Sequence, residues 1–546
     1  MDCRKNRSDA YSGLAVWRIP GGIKVNVKSM INDSHFSYSR RATTFIAMTA
    51  IALAACGSVL GCGDRAATST PTPATPVSLE PTPAVQDIPR VLAVSARPRE
   101  SNSLIVDVTV DLDRAAAAYI EYENPGAGAF RTATSSPAVA HHFPVVRLRA
   151  ATTYSYRAVA VGSDGSVSHG PDGQFTTGPL PPALSSLNIT ASGAPTSELV
   201  MMDLGEAQTP YILFLDEDSK IVWYFAPPNP FAPTYLQLLA VRQKPNHNIV
   251  YMLGNLQFIG QTCCMVEITP DGKIVDMLSN SEVDKWAHHD QLVVSDTEVL
   301  YLADEAVPYT GPASPGGTIP TRIMVDSIRL WDQANHTTRK LWDARDHFST
   351  DTQSNLDYLT RDRDPRRWLM ANSISIGPRG NYIVSLRTIS QVISISPDFQ
   401  SIEWKLGGPD SDYYFPKPED RFYHQHTASQ LPNGNILLYD NGMARPAEEG
   451  GEYTRAIELA LHSYDMSATK VWEYRATPDV FGRLRGGAYR LPSGNTLVNM
   501  DTVPRRVAEV GRDGSEVWKM TMEGPTYRTS YRAYPAASIA GETRLR

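Results

Sequence analysis

The last two-thirds of this chain repeats itself, and that repetition limits its folds more than any other feature. One half of the unit is a turn followed by an apolar alternation that closes on tryptophan. It runs Asp216–Trp223, Pro397–Trp404 and Arg512–Trp518, with variants ending at Trp342 and Trp472 and one, Pro270–Val275, that keeps the turn without the ring. The other half reads Pro432-Asn433-Gly434-Asn435 before Ile436-Leu437-Leu438, and recurs at Pro245, Pro378 and Pro492 and in shorter form at Ser295–Leu300. A period of about 45–70 residues holding four short strands is the signature of a β-propeller. Six halves of the first kind and five of the second imply six blades. Glu198–Met202 supplies the missing half and closes the ring against the last blade, and a seventh blade arises only if the insertion Ala306–Thr321 hides strands. The 40 Pro and 37 Gly agree with many turns and short strands rather than long helices.

Ahead of the repeats the chain is organised differently. Residues 1–38 carry no apolar periodicity, and a translation start at Met30 accounts for most of them. Ser39-Arg40-Arg41 and the apolar run Thr43–Ala55 then form an export signal, too short to span a bilayer. Leu53-Ala54-Ala55-Cys56 resembles a bacterial lipobox, making Cys56 the lipid-attachment site, with Cys62 the weaker candidate. A Thr/Pro-rich tether follows, so that residues 1–62 are extension and signal and 63–87 linker. The expectation is an exported protein, periplasmic or on the cell surface, that meets the membrane through a lipid anchor. Residues 88–180 alternate with period two, at Leu104–Val110, Ala118–Tyr122 and Tyr154–Val161, which predicts a small β-sandwich. Its last two strands resemble those of a fibronectin type III domain. The fold class is therefore all-β: a six-bladed propeller over 187–540 behind a sandwich. His141-His142 reads as an inert pair in a sandwich loop.

A net charge of −7, from 51 basic and 58 acidic residues, gives no electrostatic footprint for nucleic acid. Five cysteines without a CxxC pair indicate neither a disulfide scaffold nor zinc, and nothing demands a metal or another cofactor. The chemistry is expected at the propeller axis, where equivalent positions of different blades converge. Counting back eight residues from the turn residues Gly434, Gly380, Thr297 and Gly494 lands on His426, Asn372, His289 and Gly486. Two histidines and an asparagine at one repeat position is notable in a chain with 12 histidines. Arg387 ends the strand that follows Asn372, and its guanidinium offers a fork of donors to a tetrahedral oxyanion.

An ordered series of motifs now resembles the bacterial arylsulfate sulfotransferases. It comprises His288-His289-Asp290, Asn372-Ser373-Ile374 through Arg387, Trp404–Asp412, Gln425-His426, Leu438–Gly442, Arg455–Leu459 and Tyr531-Arg532-Ala533. The resemblance implies nucleotide-independent transfer of a sulfuryl group from a phenolic sulfate donor to a phenol acceptor. It makes His426 the transiently sulfated nucleophile, Arg387 and Asn372 the holders of the sulfuryl oxygens, and His289 an aid to proton transfer or oxyanion binding. Two positions depart from the pattern. Met370 stands where the family carries histidine two residues before the asparagine, and the last blade offers Gly486 where a hydroxyl or amide is expected. His424, two residues before the nucleophile, is the candidate to compensate, so His424, Met370 and Gly486 complete the expected substrate pocket. The alternative is a catalytically silent propeller that binds a small anion or a partner protein. The number of protomers, homo-oligomer included, is left open.

Overall fold

The computed structural model describes residues 88–205, 207–228, 236–255, 262–279, 286–313, 317–352, 364–524 and 530–545, and a small antiparallel pairing of Trp17–Arg18 with Lys24–Val25. The export signal, Cys56 and the tether lie outside the described residues. Among the described residues no helix is long and apolar enough to cross a membrane.

Six sheets, each with four antiparallel strands as its body, follow one another as the blades of a propeller, and in the third of them Arg366–Arg367 adds a parallel strand against Arg322–Asp332. Blade two starts at Leu236–Gln243, blade three at Trp286–Val293, blade four at Ala371–Ile376, blade five at His426–Gln430 and blade six at Gly487–Arg490, each with three further strands in chain order. Blade one is assembled from both ends of the propeller. Leu199–Leu204, Tyr211–Asp216 and Ile221–Phe225 take their innermost strand from Ala533–Ala536, through pairs such as Met201 with Tyr534. In return Asn188–Gly193 adds a fifth strand to the outer edge of blade six, against Glu516–Glu523. The ring closes by two exchanges of strand. The insertion at 306–321 holds no seventh blade among its described residues. Instead it extends the hairpin of Glu298–Pro308 and Arg322–Asp332, which stay paired from Glu298–Asp332 out to Pro308–Arg322.

The repeated residues hold this architecture locally. In the inner turn Gly434 and Gly494 adopt φ of 89°, where a side chain would be strained. The asparagine that follows reaches across the blade: Asn435 Nδ2 donates to Glu458 Oε1 at 2.6 Å and Asn495 Nδ2 to Glu509 Oε1 at 2.6 Å. Two of the outer-strand tryptophans join blade to blade. Trp223 Nε1 donates to Pro270 O at 2.8 Å and Trp472 Nε1 to Gly511 O at 3.2 Å, in each case the turn of the next blade.

The region before the propeller is built on one strand rather than two. Asn102–Asn124 runs without a break through both stretches that the alternation marks separately. Its first half pairs with Val91–Arg99 and Ala138–Val145, its second with Gly128–Arg131 and Thr153–Val161, so a single strand serves two sheets around an apolar core. His141 and His142 lie on a strand, not in a loop: His141 is buried with Nδ1 2.9 Å from Ser135 Oγ, and His142 meets Asp107 at 2.9 Å. This region is stitched to blade one by Asn102 Nδ2 donating to Tyr224 O at 2.7 Å and by the Arg149–Asp216 ion pair at 2.7 Å.

Candidate active site

Near the axis the innermost strands are irregular, and the irregularities sit at the residues of interest. In blade four Asn372 is the extra residue between the pairs Ala371–Leu386 and Ser373–Ser385. In blade five the extra residue is Thr427, next to His426. Blade three carries the larger bulge: His288, His289 and Asp290 lie between the pairs Ala287–Ala303 and Gln291–Tyr301, opposite Leu302 alone. Bulges re-aim side chains at the end of a strand. Left-handed backbone accompanies them, at His289 (φ 55°), Met370 (56°), His424 (49°) and Arg485 (60°). Counting from the turn therefore reaches the bulged end of each strand but not equivalent backbone positions. His289 itself is left-handed, whereas Asn372 and His426 lie two residues after the left-handed position of their blades.

His426 is buried, and its tautomer follows from its partners. Asn441 Nδ2 donates to the carbonyls of Gly482 at 2.7 Å and Arg485 at 3.0 Å, which fixes Asn441 Oδ1 as the acceptor facing the imidazole. The 2.7 Å contact between that oxygen and His426 Nδ1 is therefore a donation from Nδ1–H. Nε2 carries the lone pair, and among the described residues only the Arg485 backbone N–H, 3.3 Å away, donates toward it. Burial holds the basicity of His426 well below that of an ordinary histidine, and Arg387 adds to the effect; the Asn441 bond opposes it, and Arg532 and Arg485 reinforce it. The ring is neutral at physiological pH, with Nε2 unprotonated.

His289 comes under the same charges. Burial lowers its basicity first, then His288 and Arg367, then His426 and Arg387, which puts those last two groups within electrostatic reach. Arg387 is fully buried beside two thioethers, its Nη1 3.9 Å from Met370 Sδ and its Nη2 3.6 Å from Met443 Sδ, while its backbone N–H donates to Met370 O at 3.1 Å. Asn372 donates from Nδ2 to Gln425 O at 2.8 Å, and its buried Oδ1 has no hydrogen-bond partner among the described residues. His424 is buried with its backbone N–H on Ser390 Oγ at 3.1 Å. At Gly486, with φ of 90°, a β-carbon would fall 2.3 Å from the Tyr439 ring. The hydroxyl side chain expected there has no room, so Gly486 offers backbone only.

Sequence reasoning left out the residues that fasten these groups together. Arg532, on the chain-terminal approach to blade one, donates from Nη2 to Asn372 O at 2.6 Å and pairs through Nη1 with Asp290 Oδ2 at 2.7 Å. Asp290 also takes Arg242 of blade two at 2.7 Å and the Ile374 N–H of blade four at 3.1 Å. Asp203 accepts the backbone N–H groups of Tyr531 and Arg532, and burial raises its pKa to about 7. Four blades thus meet at one buried carboxylate beside the site. Asn441 and Arg532 both lie inside motifs quoted above, but their partners are distant in sequence and no spacing reveals them. No group of three or more His, Cys, Asp or Glu among the described residues is arranged to hold a metal ion.

Residues 187–532 match the family model for arylsulfotransferase (ASST). The chain belongs to the arylsulfotransferase family. Family membership makes aryl sulfuryl transfer its class of chemistry and phenolic compounds its class of substrate. No curated protein matches the chain. Among solved structures, a protein of unknown function from Bacteroides caccae is 13% identical, with 63% of this chain and 98% of that one covered and a TM-score of 0.35. A virginiamycin B lyase from Staphylococcus aureus is 11% identical over 68% and 91% of the two chains with a TM-score of 0.30. A protein of unknown function from Dyadobacter fermentans is 9% identical over 80% and 99%, with a TM-score of 0.33. Likeness at these scores adds nothing about what an arylsulfotransferase of this sequence does.

Proposed function

We propose that this arylsulfotransferase moves a sulfuryl group from a phenolic sulfate ester to a phenol through a sulfohistidine on His426. The observation that carries the reading is the neutral, Nδ1–H tautomer of His426, which leaves Nε2 as a buried nucleophile next to the Arg387 charge. In the first half-reaction Nε2 attacks sulfur, the N–S bond forms, and the S–O bond to the aryl oxygen breaks with its electron pair leaving on the phenolate. Arg387 and the second hydrogen of Asn372 Nδ2 stabilise charge on the sulfuryl oxygens. In the second half a phenol attacks the same sulfur, loses its proton and releases neutral His426. The positive charge of Arg387 attracts the anionic ester. The test is nitrophenolate release from 4-nitrophenyl sulfate with phenol as acceptor, with parallel-line ping-pong kinetics and no release by His426→Ala.

Two observations favour the silent binder: the thioether of Met370 in place of an imidazole, and Tyr439 filling the space beside Gly486. Absence of release across a panel of phenols, with sulfate esters still binding, decides for it. We further propose that the region at 88–180 is fibronectin type III-like and that Cys56 carries a lipid that anchors the exported chain. Metabolic labelling with a radiolabelled fatty acid, lost in Cys56→Ala, tests the anchor.

A further inference from the structure

The mechanism above needs a proton for the departing phenolate, and Met370 cannot give one. Behind His289 lies a buried cluster that the mechanism has not used. Asp304 and Asp326 face each other directly across neighbouring strands of blade three, both at most 2% exposed. Arg367 bonds to Asp304 and supplies one positive charge for the two carboxylates. Two facing carboxylates in a dry site do not both ionise against a single cation, so the cluster retains a proton. Asp326 spends its oxygens on the backbone N–H groups of Met370 at 3.0 Å and Ala371 at 2.8 Å. Asp304 Oδ1 has no hydrogen-bond partner among the described residues, and neither has the buried Nε2 of His288. That nitrogen lies 3.5 Å from Asp326 Oδ1, which also takes the Ala371 N–H, and 3.9 Å from Asp304 Oδ2, the oxygen that Arg367 holds. The other ring nitrogen of His288, Nδ1, is 2.9 Å from His289 Nδ1, a contact that requires a hydrogen on one of the two rings.

We propose that the Asp304–Asp326 pair and His288 form a proton relay that feeds His289, through which the leaving phenolate is protonated and the acceptor phenol is later deprotonated. The proposal rests on the sulfuryl-transfer reading. In the loaded state the carboxyl proton faces His288 Nε2, His288 Nδ1–H donates to His289 Nδ1, and His289 bears its hydrogen on Nε2. When the phenolate takes that hydrogen, each proton moves one place along the chain. The carboxyl becomes carboxylate, His288 carries hydrogen on Nε2, His289 carries it on Nδ1, and no charge builds on either imidazole. The acceptor phenol reverses the sequence. The resting protonation agrees. Burial, with Arg367 and against the Ala303 carbonyl that also faces the ring, brings His288 down to about 3, so that the ring is neutral. Burial raises Asp304 to about 7 against Arg367 and with Asp326, and raises Asp326 to about 6 against its backbone donors and Arg367. His426 and Arg387 are the other groups facing His289, and both disfavour a standing charge there. Asp304 and His288 act through His289 and are positioning residues.

The test measures single-turnover phenol release from phenyl sulfate, whose phenol has a pKa of about 10, and from 4-nitrophenyl sulfate, whose leaving group needs no proton. Asp304→Asn and His288→Gln are each expected to slow phenyl sulfate about 100-fold and 4-nitrophenyl sulfate about 5-fold, with the double variant no slower than either. Equal losses on both donors, or additive ones, overturn the relay. Should both variants fail to fold by circular dichroism, the wild-type proton inventory for phenyl sulfate in mixed H2O and D2O decides. Curvature supports several protons in flight, and a straight line or no isotope effect overturns them. Wild-type silence toward both donors instead overturns sulfuryl transfer itself.

Discussion

Asn441→Ala removes the group that sets the tautomer of His426 and changes nothing that holds the sulfuryl oxygens. The lost bond is a buried, 2.7 Å neutral contact, worth about 0.5–1.5 kcal/mol net. At about 1.4 kcal/mol per factor of ten, freeing the ring to take the other tautomer costs about tenfold in rate. A ring no longer pinned also strays from in-line geometry, which brings the expected fall in kcat to about 100-fold. KM should hardly move, since Arg387 and Asn372 remain. The informative companion is Asn441→Asp. A carboxylate beside Nδ1 favours the imidazolium and so raises a basicity that burial and Arg387 now hold down. Nitrophenolate release by the wild type should be flat from pH 7 to 5, whereas Asn441→Asp should lose rate as the pH falls and the ring takes up a proton. Asn441→Ala within threefold of wild type, or an Asn441→Asp profile as flat as the parent, would refute the assignment of Nε2 as nucleophile.

Met370→His puts back a proton donor beside Arg387 at a left-handed position, and should raise kcat/KM for phenyl sulfate about tenfold while leaving 4-nitrophenyl sulfate less affected. Equal gains on both donors would show that the new ring only repacks the pocket. Gly486→Ala should cost about 2–4 kcal/mol in urea melts, because its β-carbon overlaps the Tyr439 ring at φ of 90°; an unchanged midpoint would mean the ring moves freely. Stability against pH reports on two opposed sets of buried groups. Folding depresses His288, His289 and His426 and raises Asp203, Asp304 and Asp326. Between about pH 6 and 4 the unfolded imidazoles take up protons, which lowers stability, while carboxyls protonated only in the folded state oppose that loss. Below about pH 4 the unfolded carboxyls take up protons as well and the opposition ends. Stability then falls with acid for as long as a folded imidazole stays neutral, which for His288 lasts down to about pH 3 and contributes about 1.4 kcal/mol per pH unit. A calorimetric midpoint that climbs below pH 4 would contradict this.

The blade number and the neighbourhood of the site were legible in the sequence because both rest on short-range patterns. The inner turn needs positive φ at Gly380, Gly434 and Gly494, the asparagine after it bonds across the blade at Asn248, Asn381, Asn435 and Asn495, and Trp223 and Trp472 bond to the next blade's turn. Such needs recur from blade to blade and leave a period. The single strand Asn102–Asn124 shows in the sequence as two stretches because Asp113-Arg114 and the alanines that follow interrupt the β-branched and aromatic residues that mark a strand. Bulges defeat exact counting: one extra residue at Asn372 and two in blade three change which backbone positions are equivalent while leaving turn-to-turn spacing intact. The amino-acid sequence by itself thus determined a ring of six sheets, its family and the residue types near its centre. Tertiary structure alone decided which nitrogen of His426 is bare, which carboxylate joins four blades and which acids stand behind His289. Each of those depends on atoms brought together from blades scores of residues apart, and contacts of that range leave no period in the chain.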